Sequence, residues 1–448
     1  MLIKISIENF KSFDQREELS MISSSKVHEN KNHRIQIKQT TLLKNAVIYG
    51  ANASGKSNLV VAFEFIKKVL MEGLPVECIN DFCRNREENK TKESFFELQF
   101  TVGNTFYAYG FSAILSQRKI TEEWLYELLQ DGESRQLFIR KANEVTQLGD
   151  IGKLSEAEKS RFAVYSEDFT GHDTQLFLAE MNRGKKYVKK SKLLFFQYAF
   201  RWIVNNIIII KPNMGISNTE AYYNDESLEN ISELIQTFDT GITDIKTKVI
   251  TVEEMEKMIP REIVYGIFSH LKQQMQATNS TSIQMTWRLN DGFFNIRILD
   301  NYAEPEITTL VLKHGKSVFD FSFSEESDGT KRLFDLIDML LTDRPDTTFV
   351  VDELERSLHP KLTEHFLKLF MKAHEDTSMQ LVFTTHEASI MDQSLFRRDE
   401  IWFIERDADN ASKIYSLDRF KERYDRKLSK AYLEGRYGAI PVFRSFSF

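Results

Sequence analysis

The run Gly50-Ala51-Asn52-Ala53-Ser54-Gly55-Lys56-Ser57 fits G-x-x-x-x-G-K-[ST], a pattern whose chemistry is the capture of a polyphosphate. In such a loop the backbone N–H groups and the dipole of the following helix form a concave anion site. Gly50 and Gly55 let the chain turn closely around phosphate. Lys56 would reach the β and γ phosphates, and the Ser57 hydroxyl would complete the shell of a Mg²⁺ ion. The expected ligands are therefore ATP and Mg²⁺, held by residues 50–58 with Asn58 at the start of the helix. A second stretch, Thr347 to Val351, is an apolar run that ends in Asp352 and Glu353. Acidic residues often end a strand simply because the chain has reached solvent. Downstream of a phosphate loop, the pair gains a chemical use: Asp352 in the metal's shell, and Glu353 polarising water for attack on the γ phosphate.

Two further stretches gain meaning from their order. In FSFSEESDGTKRL, Ser327, Gly329 and Thr330 open an amphipathic helix, and first-turn amides lack intrahelical partners, so the helix tip can receive phosphate. Alone it is a good N-cap. Its place shortly before the acidic strand is where ATPases of the ABC type carry their signature sequence, which contacts a nucleotide bound by the other subunit. His386 follows the apolar run Gln380 to Thr385; alone it would be a cap or a surface residue, but its order matches a switch histidine that senses the γ phosphate. The catalytic candidates are thus Glu353, His386 and Lys56. Glu355 to His359, just before Pro360, occupy the place of the loop that touches the opposite subunit in that architecture.

These residues need a scaffold. Ile3, Ile5 and Ile7 alternate as in a half-buried strand, and Asn45 to Tyr49 form a strand running into the glycine loop. After the loop, Leu59, Ala62, Phe63, Ile66, Val69 and Leu70 recur at helical spacing until Gly73 and Pro75. The runs FFELQF, FYAYGFSAIL and EEWLYELL predict a β-meander over 94–126. Residues 150–280 read as mostly helical and charged, an inserted lid with a basic run from Lys185 to Lys192. Strands resume at SIQMTW, FFNIRIL and ITTLVL. From 328 to 416 helix and strand alternate, which implies a largely parallel sheet. The expected fold is α/β, with the nucleotide head divided between 1–150 and 281–448 and a helical insertion at 151–280.

Composition narrows the class. Hydrophobic residues at 42% and charged residues at 28% are ordinary for a globular chain. A net charge of -7 argues against gripping nucleic acid with the whole surface, though not against a local basic patch. Cys78 and Cys83 have neither the redox nor the zinc spacing. The longest apolar run, Ile203 to Ile210, is interrupted by Asn205 and Asn206, far short of the roughly 20 residues that span a bilayer. With no signal-peptide pattern at the amino terminus, a cytoplasmic protein without a membrane partner is expected.

Taken together, IENFKSF (7–13), YGANASGKSN (49–58), SDGTKRLF (327–334), VDELERSLHPKL (351–362), FTTHE (383–387), RRDEIWFIE (397–405) and YLEGRYGAIP (432–441) resemble the ABC-like ATPases of the RecF/SMC/OLD group. The last motif is similar to that of bacterial defence ATPases of the AbiL and RloA type. The resemblance implies an ABC/SMC-type head, a homodimer or higher even-numbered oligomer joined through the heads, and an antiphage role beside a separately encoded nuclease-like effector. It leaves open a RecF-like DNA-repair ATPase that clamps DNA. A Q-loop metal ligand is also implied, for which Gln99 is the candidate. Long SMC arms are missing, and only about 40 residues follow IWFIE, too few for a nuclease domain. The cluster Asp399, Glu400, Glu405, Asp407 and Asp409 reads as strand-end and loop carboxylates. Tyr432, Leu433, Tyr437 and Pro441 read as a terminus folded back on the core.

Overall fold

A computed structural model describes residues 1–129, 132–212, 225–277, 280–289, 292–300, 303–420 and 427–441. The chain forms two compact units. The first takes Met1–Ile209, Arg344–Leu354 and His374–Phe448; the second takes Ile210–Asp343 and Glu355–Ala373.

The first unit holds two sheets. A seven-stranded sheet runs in the order Gln147–Leu148, Ser134–Lys141, Lys119–Leu128, Thr105–Ile114, Ser94–Val102, Leu2–Glu8 and Glu17–Ser20. Every pairing in it is antiparallel, as the meander predicted. The other sheet runs Ile207–Ile210, Thr348–Val351, Gln380–Thr385, Asn45–Tyr49, Ile401–Arg406, Ser412–Ser416. Its pairings from Thr348–Val351 across to Ile401–Arg406 are parallel, and Ser412–Ser416 returns antiparallel. Strands buried on both faces read as continuous apolar runs, which is why NAVIY, TFVV and QLVFTT lack alternation.

The helix Lys56–Glu72 shares one core with both sheets. Leu59, Phe63, Ile66 and Leu70 join Phe96, Phe100 and Phe111 of the meander and Ile48, Val350 and Val382 of the parallel sheet. Each such side chain contributes about 1.5–3 kcal/mol by leaving water, so the helix that follows the phosphate loop is held firmly. Gly73, at φ +85, ends it.

The sequence-derived insertion at 151–280 needs correction. The helices Glu156–Asp168 and Leu194–Arg201 belong to the first unit, because Phe162 and Phe196 enter its core. Trp202 stacks on Phe100 with ring centroids 4.4 Å apart. Nor is the remainder only helical. In the second unit the strand Ile242–Ile250 pairs with Glu306–His314, which continues to Gly292–Ile298 and Ile283–Leu289, all antiparallel. The strands expected at 282–298 and 307–312 are there. Ile242–Ile250 escapes a periodicity reading because ITDIKTKVI exposes most of its central residues. The helix Arg261–Ala277 covers this sheet through Val264, Phe268, Leu271 and Met275.

The final motif folds back only in part. Tyr432 and Tyr437 pack on Phe403, with ring centroids 5.7 Å away in each case, whereas Leu433 and Pro441 are exposed. The neighbouring acidic residues are engaged with protein groups: Asp399 pairs with buried Arg397, Glu400 meets His33 and Asn45, and Glu405 accepts from the Ala439 amide. Among the described residues no helix is long and apolar enough to cross a membrane.

Candidate nucleotide-binding site

The strand Asn45–Tyr49 is buried throughout and hands the chain directly to residues 50–55, after which the helix begins at Lys56. Two positions in this turn exclude a side chain. A Cβ on Gly50 would lie 2.4 Å from the Ile404 carbonyl oxygen. At Gly55, where φ is +115, it would lie 2.2 Å from Ser412 Oγ. Both glycines are thus required by close approach, and Gly55 by its dihedral as well.

The loop is braced from outside. Ser412 Oγ sits 2.5 Å from the Ser54 carbonyl oxygen and 2.7 Å from Ser12 Oγ. Asn58 Nδ2 donates to the same Ser12 hydroxyl at 2.8 Å, and Arg406 Nε donates to the Ala53 carbonyl at 2.9 Å. In a trans peptide C=O and N–H point oppositely, so fastening the Ser54 carbonyl to the brace turns the Gly55 amide to the other side. Ser54 Oγ is buried with no hydrogen-bond partner among the described residues.

Lys56 Nζ donates to the carbonyls of Gly50 (2.7 Å) and Ala51 (3.1 Å) and lies 3.4 Å from His386 Nδ1. Burial, and secondarily the Lys56 charge, hold the His386 pKa below its ordinary value despite Glu353 and Asp352 nearby. The ring is therefore neutral near pH 7. Thr384 joins the acidic pair to the strand before His386: its hydroxyl donates to Asp352 Oδ1 at 2.6 Å and accepts from the Glu353 amide at 2.8 Å. Glu353 itself adopts φ +47, a left-handed conformation that costs about 1–3 kcal/mol in a residue with a side chain.

Residues 52–58, Glu353, His386 and Arg406 line one cavity of about 490 Å³. The sequence-chosen Lys56, Ser57, Asn58, Glu353 and His386 thus meet, with Asp352 buried next to them. The residues present fit a magnesium nucleotide: the glycine cradle has no room for a Cβ, a buried hydroxyl awaits a partner, and a lysine and a carboxylate line one space.

Two sets of more distant residues differ in placement. Ser327 caps the helix Asp328–Leu341 in the second unit, its Oγ accepting from the Thr330 amide at 3.1 Å. A Cβ on Gly329 would come 2.8 Å from the Ser357 carbonyl oxygen, so the helix tip and the turn after the acidic strand are closely apposed. Gln99, by contrast, is not among the residues that line this cavity. On Ser94–Val102 it lies on the face opposite buried Phe96, Leu98 and Phe100, and its amide donates to Glu97 at 3.0 Å. Strand alternation turns it away from the core that the Lys56 helix enters.

Sequence reasoning missed Ser12, Thr384, Arg406 and Ser412. The first two lie inside the quoted IENFKSF and FTTHE motifs, where a polar residue among buried ones was the available signal. Nothing in the local sequence marks Arg406 or Ser412.

A braced glycine loop between a parallel strand and a helix, facing an acidic pair and a histidine on neighbouring strands, defines a P-loop nucleotide-binding protein. Joined to an antiparallel lobe, it forms an α/β nucleotide-binding head. The family described as "AAA domain, putative AbiEii toxin, Type IV TA system" matches residues 46–392. The chain belongs to that family. Among solved structures it is similar to an SMC head bound to the C-winged helix domain of ScpA, at 16% identity over 93% of this chain and 97% of that one, TM-score 0.37. It is also similar to the SMC head domain from Thermotoga maritima, at 14% identity over 93% and 98%, TM-score 0.38. A comparison with curated proteins finds no match.

Proposed function

We propose that the protein binds and slowly hydrolyses ATP with Mg²⁺, and that this cycle makes it a switch in a bacterial antiphage defence system. The observation that carries the reading is the meeting of Lys56, Ser57, Glu353 and His386 around one cavity. Bound nucleotide would bring the anhydride bond to be broken, and Mg²⁺ would offset its charge. Gly50 to Asn58 grip the phosphates by backbone amides, and Lys56 exchanges its two carbonyl partners for phosphate oxygens. Ser57 and Asp352 would hold the metal's shell. Glu353 accepts a proton from the attacking water, and neutral His386 supplies a hydrogen bond toward the γ phosphate without adding charge.

The signature residues Ser327, Gly329 and Thr330 are proposed to complete the site of a second copy, so that ATP closes two heads. A separately encoded nuclease-like effector in the cytoplasm would be held or released by that closure. In size-exclusion runs with MgATP, Glu353→Gln should keep nucleotide binding and accumulate as a dimer, while Lys56→Ala should bind no nucleotide and stay as the nucleotide-free form. An unchanged elution of Glu353→Gln with ATP bound would overturn the switch. Co-purification with the product of the adjacent gene tests the effector; identical behaviour with and without it would remove that part.

A further inference from the structure

We propose that Arg406 is a second cation of the phosphate site, placed to contact the phosphate chain of a nucleoside triphosphate alongside Lys56. The proposal rests on the nucleotide reading above. Arg406 ends the strand Ile401–Arg406, whose parallel neighbour Asn45–Tyr49 runs into the glycine loop, so both emerge at the same carboxyl edge, where open α/β sheets bind ligands. The guanidinium lines the same cavity as Lys56. Its Nε is occupied by the Ala53 carbonyl and its Nη1 by the Asn410 carbonyl, at 2.9 and 2.6 Å. Among the described residues its Nη2 has no hydrogen-bond partner and no carboxylate forms a salt bridge with it.

The charge of the adjacent Asp407 is felt by Arg406, but Asp407 forms no ion pair with it, and Asp407 Oδ1 accepts from the amides of Asp409 and Ala411. Burial lowers the Arg406 pKa from its ordinary value, which records a partly desolvated charge. A guanidinium with one edge still open is suited to phosphate oxygens. Two carbonyls hold the side chain in position beforehand. The strand behind it is backed by Tyr432 and Tyr437 on Phe403, and a partly positioned side chain lowers the ordering cost of binding.

The plainer alternative is that Arg406 only braces the Ala53 carbonyl. Titration calorimetry with ATP, ADP and AMP, alongside the melting temperature of the nucleotide-free protein, separates the two in Arg406→Ala, Arg406→Gln and Arg406→Lys. Gln keeps a donor for the carbonyl but no charge; Lys keeps the charge. A contact to the phosphate chain predicts that Ala and Gln each weaken ATP about ten- to a hundred-fold, weaken AMP far less, and leave the Gln melting temperature as in the parent, with Lys recovering part of the loss. ATP binding by Gln at the parental level would overturn the proposal. So would an equal loss for all three nucleotides that Gln restores together with the melting temperature. Parental ATP binding lost in Lys56→Ala but intact in Arg406→Ala sinks this inference alone; a parent that binds no ATP sinks the nucleotide reading beneath it.

Discussion

At the scale of single residues, the site is organised by two small polar contacts. Burial first and the Lys56 charge second hold the His386 pKa down, so removing the lysine should restore only part of the shift. In an NMR titration the His386 midpoint should lie below 6.5 and move upward in Lys56→Ala; a midpoint that stays put would contradict the contact. The stability consequence has a definite sign. A histidine whose folded pKa is depressed is protonated first in the unfolded chain, so its contribution is complete above the unfolded pKa and is lost as pH falls below it. Thr384 is the other contact. Replacing it with Val removes the hydrogen bonds that Thr384 donates to Asp352 Oδ1 and accepts from the Glu353 amide, each worth about 0.5–1.5 kcal/mol. Thr384→Val should therefore cut ATP turnover much more than ATP affinity. Equal effects on the two would mean that Thr384 does not position Glu353.

Among the elements, the glycine loop depends on parts of the chain far from it. Gly55→Ala would place a methyl against Ser412 Oγ in a left-handed backbone, whereas Gly103→Ala, at φ +57, meets nothing within 4 Å. Both pay the dihedral cost of about 1–2 kcal/mol, but only the first must also displace the brace. Thermal melts should thus show a clearly larger fall for Gly55→Ala, with loss of nucleotide binding; matching falls would mean the brace yields freely. This dependence explains what is legible in the sequence. The loop, the acidic pair and the helix tip at Ser327 are each made of contiguous residues with local geometry, so motif and periodicity reveal them. His386 is legible through order along the chain. Ser412 and Arg406 act on residues more than 350 positions away, and no local pattern encodes such a pairing. Gln99 was chosen from a resemblance, and the alternation of its own strand, visible in FFELQF, points it the other way. The extent of the first unit beyond residue 150 is hidden because a mostly polar helix such as Glu156–Asp168 does not declare which core its lone Phe162 enters.

For the whole molecule, the telling fact is that every residue lining the phosphate cavity belongs to the first unit, while the Ser327 helix tip belongs to the second. If the proposed two-fold dimer forms, each nucleotide takes its loop from one copy and its helix tip from the other. Two inactive variants can then repair each other. Lys56→Ala has a broken loop and a sound tip; Ser327→Arg has a sound loop and a tip blocked by a large side chain. Neither variant alone can assemble a complete site. A mixed dimer holds one doubly broken site and one fully intact site. With equal amounts and random exchange, half the dimers are mixed and each has half its sites, so hydrolysis should return to about a quarter of the parental rate if the sites act independently. A site completed within one chain gives no recovery at any mixing ratio, because no copy in the mixture has both parts sound. Measuring phosphate release across a series of mixing ratios decides between them: the shared site gives a rate that peaks at equal amounts, and the self-contained site gives a flat baseline.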